Sequence, residues 1–352
     1  MKRVCESLLK HHLAENRQMI FVAGPRQVGK TTTCRLFRSR TVYFNWDNED
    51  HRLLILKGPG NVADQIGITQ SKTIIFDELY KYPNWKNFIK GFFDTYSTKP
   101  VNIIVTGSAR FDVYRQGADS LMGRYFIYRM HPLSVGEIVK TEYPEKEIKS
   151  PKKIKNKDYD SLLDYSGFPE PYLKRNERFY NKWRRIRNRL LLQQDIRDVT
   201  NIQEIRQVEI LSEFLRQQAG QLSNYAALAN KIRVSENSIR RWISTLELLY
   251  YCFAIRPWKE NIARSLLKEP KIYLWDWAAV TDPGAKFENF IACHLLKAVH
   301  WWQDNGFGEY GLYYLRTKDK REVDFLVSKN EQAWFIVEAK LSGKRDINKN
   351  LA

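Results

Sequence analysis

Residues 24–31 read Gly-Pro-Arg-Gln-Val-Gly-Lys-Thr, a complete GxxxxGK[ST] phosphate-binding loop. Few eight-residue strings constrain a fold as tightly. The glycines let the backbone turn sharply, so that amides converge on a phosphate chain. Lys30 brings a mobile positive charge to the β- and γ-phosphates, and the Thr31 hydroxyl suits Mg²⁺. A helix starting near Lys30 would aim its positive end at the same anion. The context agrees. Gln18 to Ala23 is an apolar run that reads as a strand, and Thr32 to Phe37 carries apolar residues at helical spacing. The nucleotide-contacting segment is therefore Gly24, Pro25, Arg26, Gln27, Val28, Gly29, Lys30, Thr31 and Thr32, with ATP and Mg²⁺ as the expected cofactors.

Two further apolar strands end in polar residues. Thr73-Ile-Ile-Phe-Asp-Glu78 follows the loop by about fifty residues. Asp77 is placed to bind Mg²⁺, and Glu78 to polarise an attacking water as general base. Val101-Asn-Ile-Ile-Val-Thr-Gly-Ser108 is the second. Ligands of open α/β sheets sit at the carboxyl ends of strands, so Thr106 or Ser108 is expected at the γ-phosphate or the water; Ser108 serves equally well as a helix N-cap. Further strands are expected at Thr41–Trp46 and Tyr125–Arg129, giving a three-layer α/β domain. Asp47 and Asn48 follow the second strand and read as loop residues. An arginine reaching the transition state is worth ~10³–10⁵ in rate. Arg110 and Arg124 are the candidates, acting within the chain, on a neighbouring subunit, or only as salt-bridge residues.

Composition narrows the class. A chain of 352 residues suggests two or three domains, and 43% hydrophobic residues suffice for packed cores. The N-terminus is too charged for a secretory signal, and no apolar run reaches the ~18 residues that cross a bilayer. Cysteines at 5, 34, 252 and 293 show neither zinc nor disulfide spacing. A cytoplasmic protein without membrane partners is expected. The net charge of +18 favours a polyanionic partner, although a solvated basic surface gives the same excess.

The strings GPRQVGKTT, IIFDEL, IIVTGSAR and LMGRYFIYRMHPLSVGEI, in this order, resemble the AAA-type ATPases of bacteria and archaea that bear a C-terminal domain of unknown function. Leu162 to Tyr172 resembles that family's GGFP segment, with Ser166 where a glycine is common. The resemblance covers nearly the whole chain. It implies an additional-strand ATPase sheet, with the Ser108 strand between the phosphate-loop strand and the Asp77 strand. It also implies a winged-helix middle and a restriction-endonuclease-like end.

The middle supports such a reading on its own residues. Gln207–Gln217 reads as an amphipathic helix, Leu222–Ile232 as a second with Ser223 as its cap, and Glu236–Leu249 as a third. Ile239, Trp242, Ile243, Leu246 and Leu249 fall on one face. Tyr250–Pro257 then reads as a wing strand. Asn237, Arg240 and Arg241, with Arg184 and Arg185 from the arginine-dense Lys174–Arg189 stretch, are the expected DNA-contacting residues. Winged helices also serve as lids or protein-binding modules, so a protein partner stands beside DNA.

At the end, Arg321–Val327 and Trp334–Lys340 read as paired strands around Asn330. Asp324, Glu338 and Lys340 form a D…ExK pattern, in which the acids hold a metal and the lysine, a non-ligand, orients water. Glu288, on a preceding helix, adds a further acid. A retired fold kept for packing fits the same residues, and the chain stops at Ala352, where similar proteins continue.

The expectation is a P-loop ATPase domain over residues 1–145, a basic helical linker over 146–200, a winged helix-turn-helix over 201–260 and a nuclease-like α/β domain over 261–352. Hydrolysis of ATP would drive DNA binding, with nuclease action at the end, or gate a protein partner. A ring or dimer is expected if Arg110 or Arg124 acts on a neighbour.

Overall fold

The computed structural model describes residues 2–36, 41–67, 72–99, 101–107, 121–139, 146–199, 202–258, 269–316 and 321–341. The chain divides into two compact units. One comprises Met1–His131 with Gly136–Lys149, the other Pro132–Val135 with Ser150–Ala352.

The first unit runs α1 (Cys5–Glu15), β1 (Met19–Ala23), α2 (Lys30–Leu36), β2 (Thr41–Asn45), α3 (Glu49–Leu56), α4 (Pro59–Ile66), β3 (Lys72–Asp77), α5 (Trp85–Tyr96), β4 (Val101–Gly107) and β5 (Tyr125–Arg129). A short helix, α6 (Val135–Ile138), follows. The sheet is wholly parallel, in the order β2-β3-β4-β1-β5. β4 thus lies between the phosphate-loop strand and the Asp77 strand, as the resemblance implied. Strands covered on both faces lose polar alternation, and Met19 to Ala23 are all buried. α5 lays Phe88 and Phe92 edge-on against Phe76 of β3. Asn48 caps α3 by accepting from the His51 amide.

The second unit contains α7 (Asn156–Tyr165), α8 (Pro169–Lys174), α9 (Glu177–Leu190), α10 (Ile196–Val199), α11 (Ile205–Gln217), α12 (Tyr225–Ile232), α13 (Glu236–Leu248), β6 (Cys252–Pro257), β7 (Lys271–Leu274), α14 (Pro283–Asp304), β8 (Tyr310–Arg316), β9 (Glu322–Lys329) and β10 (Gln332–Val337). α11, α12 and α13 share one core with Leu215, Leu228, Ile239, Trp242 and Leu246. All five residues predicted for the buried face of α13 are buried.

Three expectations change here. The cap of α12 is Asn224, which accepts from the Ala227 amide, whereas Ser223 is buried with its own amide on Pro270 O. The expected wing, β6, pairs antiparallel with β7 and parallel with β8 in the sheet β10-β9-β8-β6-β7. Its ladder partners lie beyond residue 260, and residues 150–200, 201–260 and 261–352 fall into one unit, while 146–149 belong to the first. Finally, β10 stops at Val337, so Glu338 and Lys340 lie beyond the strand rather than on it. Asn330 and Glu331, both at positive φ, turn β9 into β10. Ser166 also sits at φ +72, a region glycine adopts without strain, which is the physical reason a glycine suits that position.

Candidate functional site

The phosphate loop joins β1 to α2 at the carboxyl end of the parallel sheet. A Cβ on Gly24 would stand 2.2 Å from Met130 O, so only glycine fits beside the β5 exit. Gly29 turns the loop at φ +98 into the first residue of α2. Lys30 is buried, and its Nζ donates to Gly24 O and Pro25 O, each at 2.8 Å. Burial pushes this ammonium down to about 8, while Glu78 and Asp77 pull it upward. A buried cation beside a cradle of loop amides is chemically matched to a phosphate chain.

Asp77 is the hub of the site. Thr31 Oγ1 donates to its Oδ2 at 2.8 Å, Tyr43 Oη donates to the same oxygen at 2.6 Å, and Thr106 Oγ1 donates to Oδ1. Three elements, α2, β2 and β4, therefore deliver one hydroxyl each to the carboxylate that ends β3. Burial and the Asp77 carboxylate both push the Tyr43 phenol up, so it stays a donor. The Thr31 hydroxyl and Asp77 carboxylate are the hard oxygen pair that Mg²⁺ takes beside a phosphate. The donor set thus fits ATP with Mg²⁺.

Glu78 begins the turn after β3 at φ +56, with its amide on Thr106 O at 3.0 Å. Its carboxylate accepts from Tyr80 Oη at 2.6 Å and lies 3.9 Å from Lys81 Nζ. Lys81 also ties down Asp47 at 2.8 Å, which gives that loop residue a structural task. Ser108 and Arg110 lie outside the described residues. Sequence reasoning missed Tyr43 and Arg3. The buried Arg3 guanidinium donates to Val28 O of the loop at 2.6 Å, to His131 O at 2.5 Å and to Glu137 at 2.9 Å. No spacing signal marks Arg3; Tyr43 was legible only as a strand residue.

Arg124 needs correction as a catalytic group of its own chain. It precedes β5, whose first residue pairs with Met19, so it stands at the amino end of the sheet, opposite the phosphate loop. There it forms a two-pronged pair with Asp94 at 2.7 and 3.1 Å.

The expected DNA contacts separate into two groups. Asn237, Arg240 and Arg241 are exposed on α13. Yet Arg240 binds Glu236 at 2.5 Å and stacks over Tyr225, and Arg241 lies 3.7 Å from Glu204. On α9, Arg185 is exposed, while Arg184 is half-buried over the Tyr180 ring.

The expected nuclease centre is also revised. Among the described residues, no group of three or more His, Cys, Asp or Glu side chains is arranged to hold a metal ion. A protein cation sits there instead. Lys271 Nζ, from β7, lies 2.6 Å from Glu322, 3.3 Å from Glu288 and 3.7 Å from Asp324. Tyr273 Oη donates to Glu288 at 2.7 Å, and the Ala339 amide to Asp324 at 2.9 Å. Burial, with repulsion from Glu288 and Glu338, pushes Asp324 up to about 6 against the pull of the Ala339 amide and Lys271. Lys340 is exposed.

Residues 16–139 match the family model of an AAA domain, residues 156–281 a domain of unknown function (DUF8612) and residues 283–351 a domain of unknown function (DUF4143). The uncharacterized protein Rv2008c of Mycobacterium tuberculosis is 23% identical over 326 residues, covering 88% of this chain and 67% of that protein. The uncharacterized protein MJ1544 of Methanocaldococcus jannaschii is 23% identical over 334 residues, covering 87% of this chain and 71% of that protein. Among solved structures, the Aeropyrum pernix ORC1 protein in complex with DNA aligns with a TM-score of 0.36 and 12% identity, covering 84% of this chain and 94% of that one. AMPPCP-bound DnaA from Aquifex aeolicus gives a TM-score of 0.36 and 16% identity over 70% of this chain and 87% of that one. The segment that matches the AAA-domain model carries the phosphate loop and the five-stranded parallel sheet of the first unit. No helix of the described residues is long and apolar enough to cross a membrane.

Proposed function

We propose that the AAA-type P-loop domain binds ATP with Mg²⁺ and hydrolyses it. The observation that carries this reading is the convergence on Asp77 of hydroxyls from Thr31, Tyr43 and Thr106, beside the buried Lys30 ammonium. The loop amides of residues 24–32 and Lys30 would hold the phosphates, and Thr31 with Asp77 the metal. Bound Mg²⁺ would neutralise charge on the β- and γ-oxygens. Phosphate around Lys30 would keep its ammonium charged, offsetting the burial that lowers it. Thr106 fixes one oxygen of Asp77, leaving Oδ2 directed at Thr31. Glu78, its orientation set by Tyr80, would take the proton of the attacking water.

The test uses two variants. Lys30→Ala abolishes binding of a fluorescent ATP analogue. Glu78→Gln keeps that binding and slows turnover by roughly 10²–10⁴. Unchanged turnover in Glu78→Gln overturns the assignment.

The second unit gives hydrolysis something to control. The net charge of +18 and the helix-turn-helix order of α12 and α13 favour coupling to DNA, with Asn237, Arg240, Arg241, Arg184 and Arg185 as first candidates. The acid pairs of Arg240 and Arg241, and the Lys271 cluster, favour the neighbouring reading: a nucleotide-gated switch for a protein partner, carrying a nuclease-like fold that does not cut. Stimulation of ATP turnover by DNA supports the first, and indifference the second. In a homo-oligomer, Arg124 could act on a neighbour's phosphate. Four buried cysteines, none in a disulfide, suit a reducing, cytoplasmic setting.

A further inference from the structure

α9 carries a one-sided charge pattern. Arg178, Lys182, Arg185 and Arg189 are all exposed and recur at spacings of four, three and four residues. At 3.6 residues per turn, that places them in one narrow stripe along about 16 Å of helix. The opposite face buries Tyr180, Trp183 and Arg187. Arg187 lies over the Phe168 ring at 4.4 Å, which fixes the rotation of the helix and hence the aim of the stripe.

Among the described residues, none of the four stripe cations forms an ion pair with a carboxylate; Arg189 donates to Gln193 at 3.2 Å. A helix face serving only solubility gains from alternating signs, whereas like charges at these spacings oppose the helix. The contrast lies within the same unit. The exposed arginines of α13 meet Glu236 and Glu204, so the surface first expected to touch DNA is neutralised internally.

We propose that α9, rather than α13, is the main phosphate-contacting face, and that it lies along the sugar-phosphate backbone of a nucleic acid duplex without reading sequence. This rests on the nucleic-acid half of the function proposed above. Two features select a duplex. Each strand of duplex DNA carries one charge per ~3.4 Å of axis, so a stripe of this length faces several phosphates of one backbone at once. Single strands are held by exposed aromatic platforms, whereas the Tyr180 and Trp183 rings of α9 are buried and the Phe179 ring is half-buried, with Lys174 over it.

The experiment titrates the full-length protein against a labelled duplex of arbitrary sequence at 50–200 mM salt. Parallel arms use duplex RNA, single-stranded DNA and polyglutamate. Each phosphate contact contributes ~0.9 to the slope of log K against log salt, so Arg178→Gln/Lys182→Gln/Arg185→Gln/Arg189→Gln should flatten it by about 3–4. Arg240→Gln/Arg241→Gln should flatten the slope by far less than the quadruple variant does. Basal ATP turnover and the melting temperature of the quadruple variant report that it is folded. The proposal is overturned if the quadruple variant keeps the wild-type slope, if only the α13 variant loses it, or if polyglutamate or single strands bind as tightly as duplex. Equal binding of DNA and RNA duplexes supports backbone contact; preference for one names the source. No duplex binding by wild type at low salt overturns this proposal and the nucleic-acid reading together, while ATP hydrolysis stands.

Discussion

Replacing Lys271 with methionine removes a positive charge while keeping most of the side-chain volume, and so isolates the charge. The ammonium is 4% exposed and lies 2.6–3.7 Å from three carboxylates that are 17–29% exposed. Deleting one partner of a buried ion pair costs ~3–5 kcal/mol, because the remaining charges lose their compensation. The acids keep some water, so we take the lower end, about 3 kcal/mol. For a unit of roughly 200 residues this lowers the melting temperature by roughly 10 °C. The loss should depend on pH. Asp324 titrates near 6 in the folded protein, above its ordinary value of 3.8. A carboxyl with a raised folded value favours folding below its unfolded pKa, and that contribution fades as pH rises through about 6. Without Lys271 the raising grows, so the variant should lose most at pH 8 and recover part of the loss at pH 5. Thermal melts at the two pH values check this. A shift below about 2 °C at pH 8, or a larger loss at pH 5 than at pH 8, refutes the internal-cation account.

Tyr43→Phe removes one of three hydroxyls donating to Asp77, a loss of about 1 kcal/mol. ATP turnover should fall roughly fivefold with the ATP Kd little changed, as steady-state kinetics and a binding titration would show. Arg3→Lys cannot serve Val28 O, His131 O and Glu137 together, so the loop loses its brace; ATP affinity should weaken roughly tenfold in a binding titration. Ser166→Gly relieves a positive-φ residue and should stabilise the protein by about 1 kcal/mol in denaturant melts.

The first unit was legible because its signals are local. An apolar run before the loop, another ending in Asp77 and a third ending near Thr106 each describe one strand, and the sheet order followed from the resemblance. What the sequence left hidden is carried by distant partners. Lys271 meets acids from α14 and β9, and Arg3 meets Glu137 across more than a hundred residues; no spacing encodes either. Alternation through Glu338 and Lys340 reads as strand, yet β10 ends at Val337. Ser223 and Asn224 both have capping chemistry, and only backbone geometry selects Asn224. The strand after α13 was correctly expected, but a strand's composition does not name its ladder partner.

That partner matters mechanically. Because β6 leaves α13 after a turn of three residues and runs between β7 and β8, the helix pair is spliced into the terminal sheet rather than tethered to it. A load on α13 would pass into β6 through that short turn and spread across five strands. The helix pair and the strands therefore belong to one compact unit, and a fragment cut at residue 260 would leave β6 without its ladder neighbours.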